Sequence, residues 1–91
     1  LMLKILDKIK SEIPKDLELL IAFNSELNRE KLGSICHKMK PNIQMLGNTS
    51  MYNLIVQLEI DARSNDESLP LQKKVGLLIV KLRDLLEELK A

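Results

Sequence analysis

Tryptophan is absent and phenylalanine and tyrosine occur once each, so aromatic residues make up 2% of the chain. A core must therefore be assembled from Leu, Ile, Val and Met, and few rings are available for stacking bases. Glycine and proline number three each, too few to turn a sandwich or barrel of many short strands. The single cysteine, Cys36, excludes an intrachain disulfide and a cysteine-cluster zinc site, and it fits a reducing compartment. Charge is nearly balanced, with 14 basic against 13 acidic side chains, and lacks the basic excess expected of a nucleic-acid binder. No apolar run approaches the roughly eighteen residues of a membrane span, and no signal peptide is visible. A length of 91 residues suits one domain, and the start at Leu1 rather than Met is what a module excised from a longer protein would show.

What is present is apolar periodicity. Hydrophobic residues are 45% of the chain and charged residues 30%, and they recur at helical spacing. Leu1 to Ile13 places Leu3, Ile5, Leu6, Ile9 and Ile13 on one side, which predicts a short amphipathic helix. Pro14, Lys15 and Asp16 mark a place where a helix can begin, with Leu17, Leu20, Ile21 and Leu27 as its apolar set. Whether Pro14 separates two helices or lies within one is open at this level. Asn28 is the expected N-cap of the next helix, whose stripe is Leu32, Ile35, Cys36, Met39, Ile43 and Leu46, closed by a left-handed Gly47. Thr49 or Ser50 is then expected to cap a helix that buries Met51, Leu54, Ile55, Leu58 and Ala62. A polar loop is predicted from Ser64 to Ser68, and Pro70 opens a last helix with a seam of Leu71, Val75, Leu78, Leu82, Leu85 and Leu89. Gly76 within it costs about 1 kcal/mol relative to Ala, which close approach of a neighbouring helix would explain. The fold class is all-α: an antiparallel up-and-down four-helix bundle with an additional N-terminal helical segment.

One residue does not belong to a plain bundle. At about 100° per residue, His37, the only histidine, points roughly 150° away from the centre of the Leu32–Leu46 stripe. Gly33 and Gln44 fall on nearly the same side, and Lys40 lies one turn on at its edge. An exposed histidine is usually only a solvated residue. Two neighbours argue for more. Gly33 stands where Ala or Glu would serve a helix better, as if its small size gave access to the ring. Pro41 occupies the interior of the same helix and removes the hydrogen bond to the carbonyl of residue 37. Cys36 belongs to the core stripe and diverges from His37, so the two do not make a metal site.

The run Ile35-Cys36-His37-Lys38-Met39-Lys40-Pro41-Asn42-Ile43-Gln44-Met45-Leu46-Gly47, followed by Leu54 and by Leu58-Glu59, resembles the signature of histidine-containing phosphotransfer (HPt) domains. Upstream, Ile13-Pro14-Lys15-Asp16-Leu17 and Asn28-Arg29-Glu30-Lys31-Leu32 are similar to the family's second helix and its capped approach to the histidine helix, so the resemblance covers nearly the whole chain. The family usually has Gly after the lysine, where this chain has Pro41, and a small residue two positions later, where it has Ile43. Proline at the glycine position resembles a variant in modules that end hybrid sensor kinases.

The resemblance implies a phosphorelay intermediate, a phosphohistidine carrier rather than a kinase. His37 would accept a phosphoryl group at Nε2 from a receiver-domain aspartate and pass it to another receiver. Lys40 would contact the phosphoryl group, and Gly33, Lys38, Pro41 and Gln44 would form the docking face. The domain would need no cofactor, with Mg²⁺ supplied by the partner receiver. It would act as a monomer in the cytoplasm, including the cytoplasmic part of a membrane-anchored sensor kinase, with no nucleic-acid or direct membrane contact. The alternative is a non-catalytic helical interaction or dimerisation module. A dimeric histidine-kinase helix pair fits less well, because Lys38 stands where that unit has an acidic residue.

Overall fold

Ile9, Ile13, Leu17 and Leu20 recur at steps of four, four and three, and all four are buried. That unbroken stripe carries the chain straight through Pro14. In the computed structural model, which describes residues 2–64 and 70–90, the first helix α1 runs from Met2 to Ser25 with Pro14 inside it. The expected separate N-terminal segment is therefore the first half of α1. Pro14 is exposed, so water can take up the carbonyl that its missing N–H leaves free, and burial on both sides outweighs the local cost. Of the residues expected on this stripe, Leu6 is 37% exposed, and Leu1 and the side chains of Leu3 and Ile5 lie outside the described residues. Asp16, expected near a helix start, is instead mid-helix and 1% exposed.

Leu27 was expected to pack with α1 and does not. It is 55% exposed, lies beyond the helix and adopts a positive φ of 53°. The chain reverses there, with the amide of Asn28 donating to the carbonyl of Phe23 at 3.0 Å, and a left-handed residue closes that turn whatever its side chain prefers. Asn28 is the N-cap of α2 (Arg29–Met45), accepting from the Lys31 amide at 3.1 Å. Gly47 ends this segment at φ 74°. The cap of α3 (Thr49–Arg63) is Asn48, one residue before the expected Thr49 or Ser50; its Oδ1 accepts from the Met51 amide at 3.0 Å. Asparagine is as good a cap as serine, and the glycine immediately before it sets the turn that puts residue 48 in the capping position. Beyond Ser64, which caps the end of α3, the expected polar loop lies outside the described residues. Helix α4 (Leu71–Lys90) follows Pro70, whose carbonyl accepts from the Lys74 amide at 3.0 Å.

All described elements are helices. α1 packs on α2 and α4, and α3 packs on the same two, so each helix has two neighbours and the four close into a bundle around one core. The α4 seam is buried from Leu71 through Leu85, with Leu89 half-buried. Cys36 is fully buried, Leu54 and Leu46 only partly. Gly76 meets no close neighbour: a Cβ built there finds nothing within 4 Å, so helix approach does not explain it. No helix among the described residues is long and apolar enough to cross a membrane.

Candidate functional site

The buried stripe of α2 faces the core through Leu32, Ile35, Cys36, Met39 and Ile43, which turns His37 outward. Its side chain is 64% exposed. The ring is nonetheless held: Nδ1 lies 3.1 Å from Oε2 of Glu59, on the facing helix α3. Glu59 is buried, with 9% of its side chain accessible, and it collects three basic groups. Lys40 Nζ approaches Oε1 at 2.7 Å, and the Arg63 guanidinium approaches Oε2 at 2.8 Å. One carboxylate thus ties together two residues of α2 and one a turn along α3.

Burial pushes the Glu59 pKa up, but the hydrogen bond from Lys40 and the charges of Lys40, Arg63 and His37 outweigh it and hold the carboxyl below its ordinary value. Glu59 is therefore an acceptor, and the contact with His37 is attractive when Nδ1 carries the hydrogen. In the neutral ring that leaves the lone pair on Nε2, the nitrogen without a partner among the described residues. The arrangement can present a nucleophilic nitrogen to solvent, backed by an anion that stabilises positive charge on the ring.

The other residues singled out in the sequence separate into two groups. Pro41 and Gln44 are exposed on α2, one and two turns beyond His37. Lys38 turns to the opposite side, toward α1, where its Nζ pairs with Asp16 Oδ1 at 2.9 Å. Gly33 does not leave open space beside the ring. It is buried under α3, and a Cβ added there would stand 3.2 Å from Arg63 Cγ and 3.3 Å from its Nε. The reason is the α2–α3 packing: the stem of Arg63 crosses α2 at Gly33 to bring its guanidinium to Glu59. Lys40 is 24% exposed and committed to Glu59 rather than free at the rim.

Arg63 is the site member that sequence reasoning missed, and Glu59 stood only as part of a motif. Their spacing of four on one helix marks them as neighbours of each other. Nothing in the chain marks them as neighbours of His37, which depends on how α3 rotates against α2. Further along the α1–α2 seam, Asn42 Nδ2 donates to Glu12 Oε2 at 2.7 Å, which lowers the Glu12 carboxyl from its ordinary value. Cys36, next to His37 in sequence, points into the core, and burial above all pushes its thiol up to about 12. No family model, curated protein or solved structure matches the chain.

Proposed function

We propose that the chain is a histidine phosphotransfer module of a two-component phosphorelay, in which His37 takes a phosphoryl group from a receiver aspartate and hands it to another receiver. The observation that carries this reading is the exposed imidazole held by its inner nitrogen on Glu59, with Nε2 facing outward. In the forward step the Nε2 lone pair attacks phosphorus, the N–P bond forms, and the P–O bond to the aspartyl carboxylate breaks. The leaving carboxylate keeps that electron pair. No proton needs to leave, because the ring becomes cationic with its hydrogen still on Nδ1, where Glu59 stabilises it. The reverse step passes the group to the next receiver.

Such chemistry depends chiefly on positioning and charge neutralisation. Lys40, one turn from His37, supplies positive charge at the site, and the receiver would bring Mg²⁺ and its own acidic pocket. Pro41 and Gln44 extend the exposed face on which a receiver would dock, while Lys38 would act through its tie to α1. An up-and-down antiparallel order of the helices suits this role by presenting His37 at mid-helix, away from the turns. A receiver partner implies work in the cytoplasm.

The competing reading is an interaction or dimerisation module. It draws on Leu77 and Val80, each 53% exposed one turn apart on α4. Two measurements separate the readings. The purified chain is incubated with a phosphorylated receiver, with His37→Gln as control, and its mass is followed by sedimentation equilibrium. A monomer bearing acid-labile, base-stable phosphate on the wild type alone supports phosphotransfer. A stable dimer that takes no label from any receiver supports the interaction module.

A further inference from the structure

Lys40 is the cation that the sequence places nearest an incoming phosphoryl group, yet its side chain is only 24% exposed and its ammonium is engaged at 2.7 Å with Glu59. Arg63 differs on both counts. Its side chain is 57% exposed, and Glu59 is its only partner among the described residues. The guanidinium approaches Glu59 through one terminal nitrogen, on the same oxygen that His37 Nδ1 contacts, so guanidinium and imidazole share one carboxylate oxygen. Its Nε lies over Gly33. Among the described residues no partner engages the second terminal nitrogen, and the guanidinium has the fork geometry that suits phosphate oxygens.

We propose that Arg63, seated over Gly33, is a phosphoryl-contacting residue for His37, and that Gly33 is its positioning residue. The inference rests on the phosphotransfer reading and adds to it a cation from a different helix. It also gives Gly33 a purpose that exposure does not. Any side chain at that position meets the Arg63 stem at 3.2 Å, closer than an ordinary van der Waals contact, and the flexible arginine must give way. Charge balance points the same way. Two permanent cations, Lys40 and Arg63, face one carboxylate beside the ring, which leaves one positive charge in excess before any phosphate arrives. A dianionic group on Nε2 then draws the more accessible of the two. Bond making stays on Nε2 as above; Arg63 only donates hydrogen bonds to the transferring oxygens, and no proton changes hands.

The test uses phosphoramidate, a small donor whose P–N bond breaks with ammonia as leaving group and which needs no receiver. The readouts are the rate of His37 phosphorylation and the lifetime of the phosphohistidine after donor removal. Arg63→Met is expected to lower the rate roughly tenfold or more, the size of one charge-assisted contact, while Arg63→Lys restores part of it. Gly33→Ala is expected to slow phosphorylation while its melting temperature holds or rises, since Ala is the better helix former. Adding Gly33→Ala to Arg63→Met should cost nothing further, which a general packing defect would not reproduce. Equal rates and lifetimes for Arg63→Met and wild type overturn this inference alone, as do fully additive effects of the two substitutions. Absence of label on the wild type, with both phosphoramidate and phosphorylated receivers, overturns the phosphotransfer reading and this inference with it.

Discussion

Lys38 and Asp16 form an ion pair at 2.9 Å between α2 and α1, with the lysine 57% exposed and the aspartate 1%. The buried partner depends on the exposed one. Among the described residues Asp16 Oδ2 has no hydrogen-bond partner, and Lys38 supplies the carboxylate's charge compensation through Oδ1. The pair lies on the opposite side of His37 from Glu59, and the two together fix the rotation of α2 between α1 and α3.

Lys38→Met should therefore destabilise the bundle more than the double substitution with Asp16→Leu, because the single change leaves a buried carboxylate uncompensated. Urea unfolding of the three proteins gives the comparison; equal midpoints for the single and double variants would contradict it. The pH dependence has a definite sign. The hydrogen bond from Lys38 to Asp16, with the aspartate's charge, raises the lysine pKa above 10.5. Its contribution is complete below that value and fades as pH rises through the raised one. Alkaline unfolding of wild type should lose this component in Lys38→Met.

Glu59 has the opposite sign. Its carboxyl lies below 4.5 in the folded chain, so its contribution is present above that value and is lost as pH falls through the lowered one. Glu59→Gln should flatten the acid limb of a stability profile. Glu59→Ala, which leaves Lys40 and Arg63 without their anion, should cost roughly 1–3 kcal/mol at neutral pH by denaturant titration. If His37 carries phosphate, both variants should also slow its acquisition, read as label per unit time.

The caps offer a sharper test of local structure. Asn48→Ala should cost about 1 kcal/mol, the usual worth of an N-cap, whereas Thr49→Ala and Ser50→Ala should stay within about 0.5 kcal/mol. Thermal melts of the three single variants decide it, and a larger loss at residue 49 than at 48 would be the wrong result.

Gly76 is a half-buried position in the interior of α4, and a Cβ built there meets nothing within 4 Å. Gly76→Ala should stabilise the chain by about 1 kcal/mol with no change at the site, because only backbone entropy and propensity are involved. A melting temperature that falls would mean that the position carries a contact the fold does not display.

Cys36 is fully buried, and burial above all pushes its thiol to about 12. At pH 8 an aromatic disulfide reagent should react with it only as fast as the bundle opens, and fully in urea. Prompt reaction in the native state would place the thiol at the surface.

The bundle was legible because each helix writes its buried face at a period of 3.6. The Leu32–Leu46 stripe and the Leu71–Leu89 seam emerged buried as the spacing predicts except at their last residues, Leu46 and Leu89, which are half-buried, and the outward direction of His37 is the complement of the first of these. Asn28 and Gly47 were legible for a related reason, since cap and turn residues act within three or four positions along the chain. Pro14 was not, because the local penalty says nothing about the burial of Ile13 and Leu17 on either side that outweighs it.

What the sequence determined by itself was helices α2, α3 and α4, most of the residues they bury and the outward direction of the imidazole, all consequences of local periodicity. Tertiary structure alone decided what surrounds that imidazole. Glu59 and Arg63 lie 22 and 26 residues beyond His37, and only the packing of α3 on α2 turns them to the ring. The same packing buries Gly33 beneath Arg63 and sends Lys38 to Asp16 rather than to the site. Side-chain partnership across helices depends on axial rotation and register, and these are set by the summed burial of the whole core, which no single segment encodes.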